Sequence, residues 1–482
     1  MPGSRPLRLD DLSDAELAAV FRAIPFAQRV WLACVCRRWR AICASGDVWH
    51  SVELNFTRRR FMMREEEETA AMLAWLTERR GSIHELTVAL LQGQDWMDAQ
   101  LVLGMLCGDL RKLRVTAGLE FSLESMAVLA VMPRLRSLWV DFDNAHWASS
   151  CRVLPQCLTE LTLHHRRFAG QVFSYEPLWL PAELSRLTAL RHLRFDFLTP
   201  PSTRTYSGHP LDSIQGLSML QRLDLRGSNL PPLPAWLSRL SRLTGLCLAG
   251  CTQYFEDSEA GNWHDALAAL PALSTLDLRC SSLPYLPPPV AELASLTALL
   301  LSGNPLTTLP EGPYLRHLAR LDLGVASMTA LPPPLLTCTA LRRLNLTSDR
   351  RVNTEAKLKL SLRTARALLR SNLGLRVLRL PEGPLSRATL AELAASFPQV
   401  LVEHPPPGQE AEVDPDFGAL SEGLGDGESD SDFGLSPGEE EGSSDGESWG
   451  DGNGSAGLNS EEWGEPWGHQ SSTSDDGSDQ GW

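Results

Sequence analysis

Apolar residues recur along most of this chain in one fixed hexapeptide, apolar-x-x-apolar-x-apolar, rather than at the spacing of an amphipathic helix. The pattern begins at Ile83 (IHELTV), Leu110 (LRKLRV), Leu135 (LRSLWV), Leu158 (LTELTL) and Leu190 (LRHLRF). It continues at Leu220, Leu243, Leu273, Leu296, Leu318, Leu341 and Leu375. Successive starts lie 22 to 34 residues apart, most often 23. Within each copy the alternation predicts a short strand, with its apolar residues on one face and its x residues on the other. A unit of that size has too little apolar surface to bury alone, so the period predicts stacked units with a shared core.

The best copy, LTALLLSGNPLTTLPEGPYLRHL from Leu296, places Asn304 at the turn and Leu306, Leu309 and Pro310 after it. This resembles the leucine-rich-repeat family. The resemblance implies an α/β solenoid, a horseshoe with a parallel concave sheet, of about 12–13 repeats over residues 49–404. Ser228, Cys251, Ser281 and Ala326 stand where the family's turn asparagine would be, so turn hydrogen bonding should be less uniform than in a consensus solenoid. The long intervals from 158, 190, 243 and 341 must hold insertions or longer outer helices. Proline runs after the strands suit an outer segment that needs no amide hydrogen.

A different pattern precedes the repeats. Ser13 with Glu16 three places on is a capping-box signal, and Leu17, Val20, Phe21 and Ile24 follow at helical spacing as far as Pro25. Val30, Ala33, Cys34 and Val35 continue an apolar face, and Val35, Trp39, Ile42 and Cys43 give another before Ser45 and Gly46. Three short helices are predicted over residues 9–50. Leu12, Leu17, Val20, Phe21 and Ile24, then Val35, Cys36 and Trp39 as V-C-x-x-W, then Trp49, resemble the F-box. That family docks substrate receptors onto the Skp-type adaptor, and through it the cullin, of SCF-type ubiquitin ligases. The resemblance implies adaptor contacts among Leu12, Leu17, Val20, Phe21, Val35, Cys36 and Trp39. Trp49 also opens WHSVEL, a plausible first strand, so helices and repeats should join without a linker.

The x positions map the face that would select a protein substrate. Arg111, Arg114, Arg136, Trp139 and Arg194 come first, then Asp224, Asp277 and Asp322, then Arg342 and Arg376. Basic ends of this kind suit acidic or phosphorylated segments, because arginine binds such oxyanions in bidentate fashion. Trp139 is the expected single anchor.

Charge changes the picture at the C-terminus. No Lys or Arg follows Arg387, whereas residues 409–482 hold 21 of the 59 acidic side chains. The remainder is mildly basic, 44 Lys and Arg against 38 Asp and Glu. Residues 405–482 read as a disordered acidic Gly/Ser tail, with Trp449, Trp463, Trp467 and Trp482 as candidate short motifs. An intramolecular contact of this tail with the basic ends of the repeats is a further expectation. The slight basicity of the body and the acidic tail argue against nucleic acid. Apolar runs are far short of the roughly 20 residues of a membrane span. The ten cysteines show no CxxC pair, so reduced thiols in cytoplasm or nucleus are expected, with no metal or other cofactor. His164 and His165 follow a strand and read as rim residues, and no catalytic motif accompanies them. Two function classes remain: an SCF-type substrate receptor, and a non-ligase leucine-rich scaffold or regulator with an unrelated helical cap.

Overall fold

The computed structural model describes residues 9–55, 66–90, 95–116, 123–142, 151–165, 180–196, 209–228, 230, 233–251, 266–324, 327–347, 358, 360–380 and 385–403. One apolar column organises it. Val52, Leu86, Leu113, Leu138, Leu161, Leu193 and Leu223 are register partners from strand to strand. Leu246, Leu276, Leu299, Leu321, Leu344, Leu378 and Val402 complete the column. It runs through a single parallel sheet of fourteen strands in strict sequence order.

The strands are β1 (Ser51–Asn55), β2 (Glu85–Ala89), β3 (Lys112–Thr116), β4 (Ser137–Phe142), β5 (Glu160–His165), β6 (His192–Phe195) and β7 (Arg222–Asp224). They continue as β8 (Gly245–Cys247), β9 (Thr275–Asp277), β10 (Ala298–Leu300), β11 (Arg320–Asp322), β12 (Arg343–Asn345), β13 (Val377–Arg379) and β14 (Leu401–Glu403). The repeat pattern predicts twelve of them. WHSVEL, opened by Trp49, supplies the pattern for β1 as well, and only β14 lacks the full hexapeptide, pairing its backbone with β13.

The N-terminal module holds α1 (Asp14–Ala23), α2 (Phe26–Leu32) and α3 (Arg37–Ala44). The Ser13 side chain accepts from the Glu16 amide, while the Ser13 amide donates to the Glu16 carboxylate at 2.7 Å, so the predicted capping box starts α1. The outer side of the sheet differs between its ends and its middle. The terminal repeats carry true helices, α4 (Glu66–Arg79), α5 (Asp95–Leu106), α7 (Leu362–Ser371) and α8 (Arg387–Ser396). The described outer segments of the central repeats include 3-10 turns such as Ala235–Arg239 and Pro333–Leu336, and the single turn α6 (Pro288–Ala291). Prolines 234, 287 and 332 cap these turns, where no amide donor is needed.

The turn after each strand shows what replaces the ladder asparagine. Asn304 is buried; its Oδ1 accepts from the amides of Ser281 and Leu283, and its Nδ2 donates to the carbonyls of Leu278 and Leu301. One repeat earlier Ser281 makes a single bond across, to the Leu248 carbonyl at 3.0 Å, and Cys251 offers only its thiol to the Leu225 carbonyl at 3.4 Å. The expected unevenness is present. Ala326 and the insertions at 166–179, 197–208 and 252–265 lie outside the described residues, as do the acidic tail and its four tryptophans.

Candidate functional site

Helical spacing on α1 aims Leu17, Ala18 and Phe21 inward, where they meet Ile42 and Cys43 of α3 and Val48 and Trp49 beyond it. Trp39 lies edge-on to Phe21 with centroids 4.9 Å apart. Arg38 ties the two helices together by pairing with Asp14 at 2.8 Å. Leu17 and Phe21, expected among the adaptor contacts, are therefore fully buried core residues, and Leu12 and Trp39 are half-buried against them. Val20, Val35 and Cys36 do face outward: Val35 is 61 % exposed and Val20 41 %.

The most exposed aromatic of the module, Trp31 at 73 %, was missed by the sequence reading. Its signal was available. Phe26, Arg29 and Ala33 turn one face of α2 inward, so a tryptophan at position 31 sits on the other face with no internal partner. Trp31, Val35, Val20 and the half-exposed Leu9 are thus apolar side chains that folding leaves uncovered.

The module is packed onto the sheet rather than tethered to it. Trp49 stands between Phe26 of α2, centroids 6.0 Å apart, and Trp75 of α4, 5.0 Å apart, both edge to face. Its indole Nε1 donates to the Cys43 carbonyl at 2.7 Å. The Arg79 guanidinium covers the far side of Trp75 at 4.8 Å. The buried Arg29 donates to the Val48 carbonyl at 2.9 Å, and burial pulls its pKa down. Gly46 touches the turn after α4 so closely that a Cβ there would sit 2.0 Å from the Ser82 hydroxyl.

On the sheet's x face the inner rows form a connected ridge. The Arg114 guanidinium lies 3.8 Å from the Trp139 ring centroid, and His164 stacks on the same indole at 6.1 Å. His164 hydrogen-bonds through Nδ1 to Asp196, which Arg194 meets at 3.1 Å. Arg226 then pairs with Asp224 at 2.6 Å and Arg279 with Asp277 at 2.7 Å. Asp322 instead accepts from the Gly324 amide and from Asn345.

These contacts correct several expectations. Trp139 is no free anchor, since Arg114 and His164 flank it. Arg194, Asp224, Asp277 and Asp322 are each no more than 5 % exposed and are engaged by Asp196, Arg226, Arg279 and Asn345 respectively. Arg111, Arg136, Arg342 and Arg376 are exposed, whereas Arg114 is half-buried over the indole.

Electrostatics divides the ridge. Burial works against the Asp196 carboxylate, but the bond from His164 and the charge of Arg194 prevail and hold its pKa below the ordinary range. At Asp322 burial prevails over the Gly324 amide and the more distant Arg279, and the pKa is raised. Cys247, buried between Asp224 and Asp277, is pushed well above the usual thiol value and stays protonated. Among the described residues no group of His, Cys, Asp and Glu could hold a metal, and no helix is long and apolar enough to cross a membrane.

Residues 9–51 match the family model of the F-box domain. A solved structure similar to the chain is that of a leucine-rich-repeat protein of Leptospira interrogans, 19% identical, covering 68% of this chain and 91% of that one with a TM-score of 0.38. No curated protein sequence matches. The N-terminal module is an F-box domain, and the fourteen strands behind it are a leucine-rich-repeat solenoid.

Proposed function

We propose that the chain is the substrate-recognition subunit of an SCF-type ubiquitin ligase. The F-box docks on a Skp-type adaptor, which links it to the cullin, and the x face of the sheet binds a protein substrate in the cytoplasm or nucleus. The carrying observation is the uncovered apolar set Trp31, Val35 and Val20 on a module otherwise complete in its own core. No catalytic side chain is required of this chain. Held by an F-box packed directly on the first repeats, a substrate stays at high effective concentration near the transferring enzyme.

The test is equilibrium binding of the full chain to a Skp-type adaptor. Trp31→Ala with Val35→Ala should weaken binding by about 100-fold, as loss of a central aromatic anchor does, and leave the melting temperature unchanged. Absence of adaptor binding by the unaltered chain overturns the reading. Leu17→Ala and Phe21→Ala are unsuitable probes, because they would lower affinity by unfolding the module.

A further inference from the structure

The arginines of the x face differ from row to row, those at the third hexapeptide position, Arg222, Arg320 and Arg343, being half-buried. Inner ones are neutralised: Arg194 by Asp196, Arg226 by Asp224, Arg279 by Asp277 and Arg379 by Glu403. Those at the first x position, Arg111, Arg136, Arg191, Arg342 and Arg376, are exposed, and none has a carboxylate partner among the described residues. Glu85 and Glu160 on neighbouring strands face Lys112 and His192 instead, so these rim cations are available to an outside anion.

These five sit in one line, because the first x residues pair through their backbones from strand to strand. The amide of Arg136 donates to the Arg111 carbonyl, that of Thr159 to Arg136, and so on to Arg376 on Arg342. The line has two cationic banks, β3 to β6 and β12 to β13. Between them stand Gln221, Thr244, Ser274, Thr297 and Ala319, all uncharged. The hydroxyls of Thr244, Ser274 and Thr297 lie down on the preceding carbonyls at 3.0–3.2 Å, so the middle is low. Beside it Gly245 opens a notch of about 80 Å³.

We propose that this edge is a track for an extended segment of a partner protein carrying two clusters of Asp or Glu, one per bank, with small uncharged residues between. Arg191 and Arg342 are six strands apart, about 29 Å at the usual inter-strand spacing, which about eight extended residues span. This names the substrate class for the receptor reading, but the binding does not need the adaptor. Nucleic acid fits less well. Its evenly spaced phosphates would meet few cations over the middle, where only the half-buried Arg222 and Arg320 lie alongside, and the line holds no aromatic for a base to stack on.

The experiment uses the full chain without adaptor and a fluorescein-labelled peptide with two acidic clusters separated by a Gly/Ser spacer of about eight residues. A one-cluster peptide, a two-residue-spacer peptide and an oligothymidylate of equal charge serve as comparisons. The long-spacer peptide should bind at least about tenfold tighter than the one-cluster peptide, the gain expected of joining two weak contacts. That gain should vanish in Arg111→Gln with Arg136→Gln and Arg191→Gln, and equally in Arg342→Gln with Arg376→Gln. Arg363→Gln, exposed on α7, should keep it. All these side chains are exposed, so melting should not move. Equal binding of one and two clusters, insensitivity to both sets of substitutions, tighter binding of the oligonucleotide, or no peptide binding would each overturn the proposal. Each would leave adaptor docking by the F-box untouched.

Discussion

Replacing Trp49 by alanine tests whether the F-box and the first repeats unfold as one unit. Trp49 is 4 % exposed and touches α2 on one side and α4 on the other. A buried indole removes about 150–250 Å² from water, worth about 4–6 kcal/mol at 25 cal/mol per Å². Observed Trp→Ala losses are about 3–5 kcal/mol, because the site partly collapses. The Cys43 carbonyl also loses its donor, about 1 kcal/mol more where water cannot enter. About 5 kcal/mol is therefore expected, which is a factor of about 4000 in an opening equilibrium. Native-state hydrogen exchange is the assay. Protection in α1, α3 and β1 to β3 should fall by that factor, while β7 to β12 stay protected, because a repeat array couples mainly to its neighbours. Trp49→Phe, which keeps the ring contacts and drops the hydrogen bond, should cost about 1 kcal/mol. A loss under about tenfold in α1 and α3, or an equal loss throughout the sheet, would refute the reasoning.

Three further outcomes follow from single positions. Asn304→Ala removes four hydrogen bonds from a buried turn and should cost about 3 kcal/mol in urea denaturation. Cys280 has φ +52° at the turn position where Gly227, Gly250 and Gly303 also have positive φ, so Cys280→Gly should stabilise by up to about 1 kcal/mol. Gly303→Ala should destabilise, since its Cβ would lie 2.7 Å from the Cys280 sulfur. The two carboxylates of opposite shift give opposite pH dependence. Asp196, held low, contributes stability that is present above the unfolded carboxylate pKa and lost as pH falls through the folded one. Asp196→Asn should thus cost about 3 kcal/mol at pH 7 and progressively less on acidification. Asp322, held high, contributes stability only below the unfolded pKa and loses it as pH rises through the folded value. Asp322→Asn should raise the melting temperature at about pH 7 and have little effect below about pH 4.

The repeat, the strand face on which each leucine lies, the capping box of α1 and the F-box signature are legible in the amino-acid pattern. All of these follow from periods of two or 3.6 and from short spacings, which local geometry enforces. Which apolar and charged side chains remain for a partner depends instead on the assembled fold. Leu17 and Val35 look alike in a helical pattern, yet α3 and Val48 cover the first and nothing in the module covers the second. Arg194 and Arg191 are three residues apart; the first meets Asp196 in the ridge, and the second lies on the open edge of its strand. Alternation assigns a residue to a face but says nothing of what the neighbouring strand, some 30 residues away, places beside it. Availability is set by those distant neighbours, so the ridge of cancelled charge and the row of arginines without a carboxylate partner among the described residues are separable only in the fold.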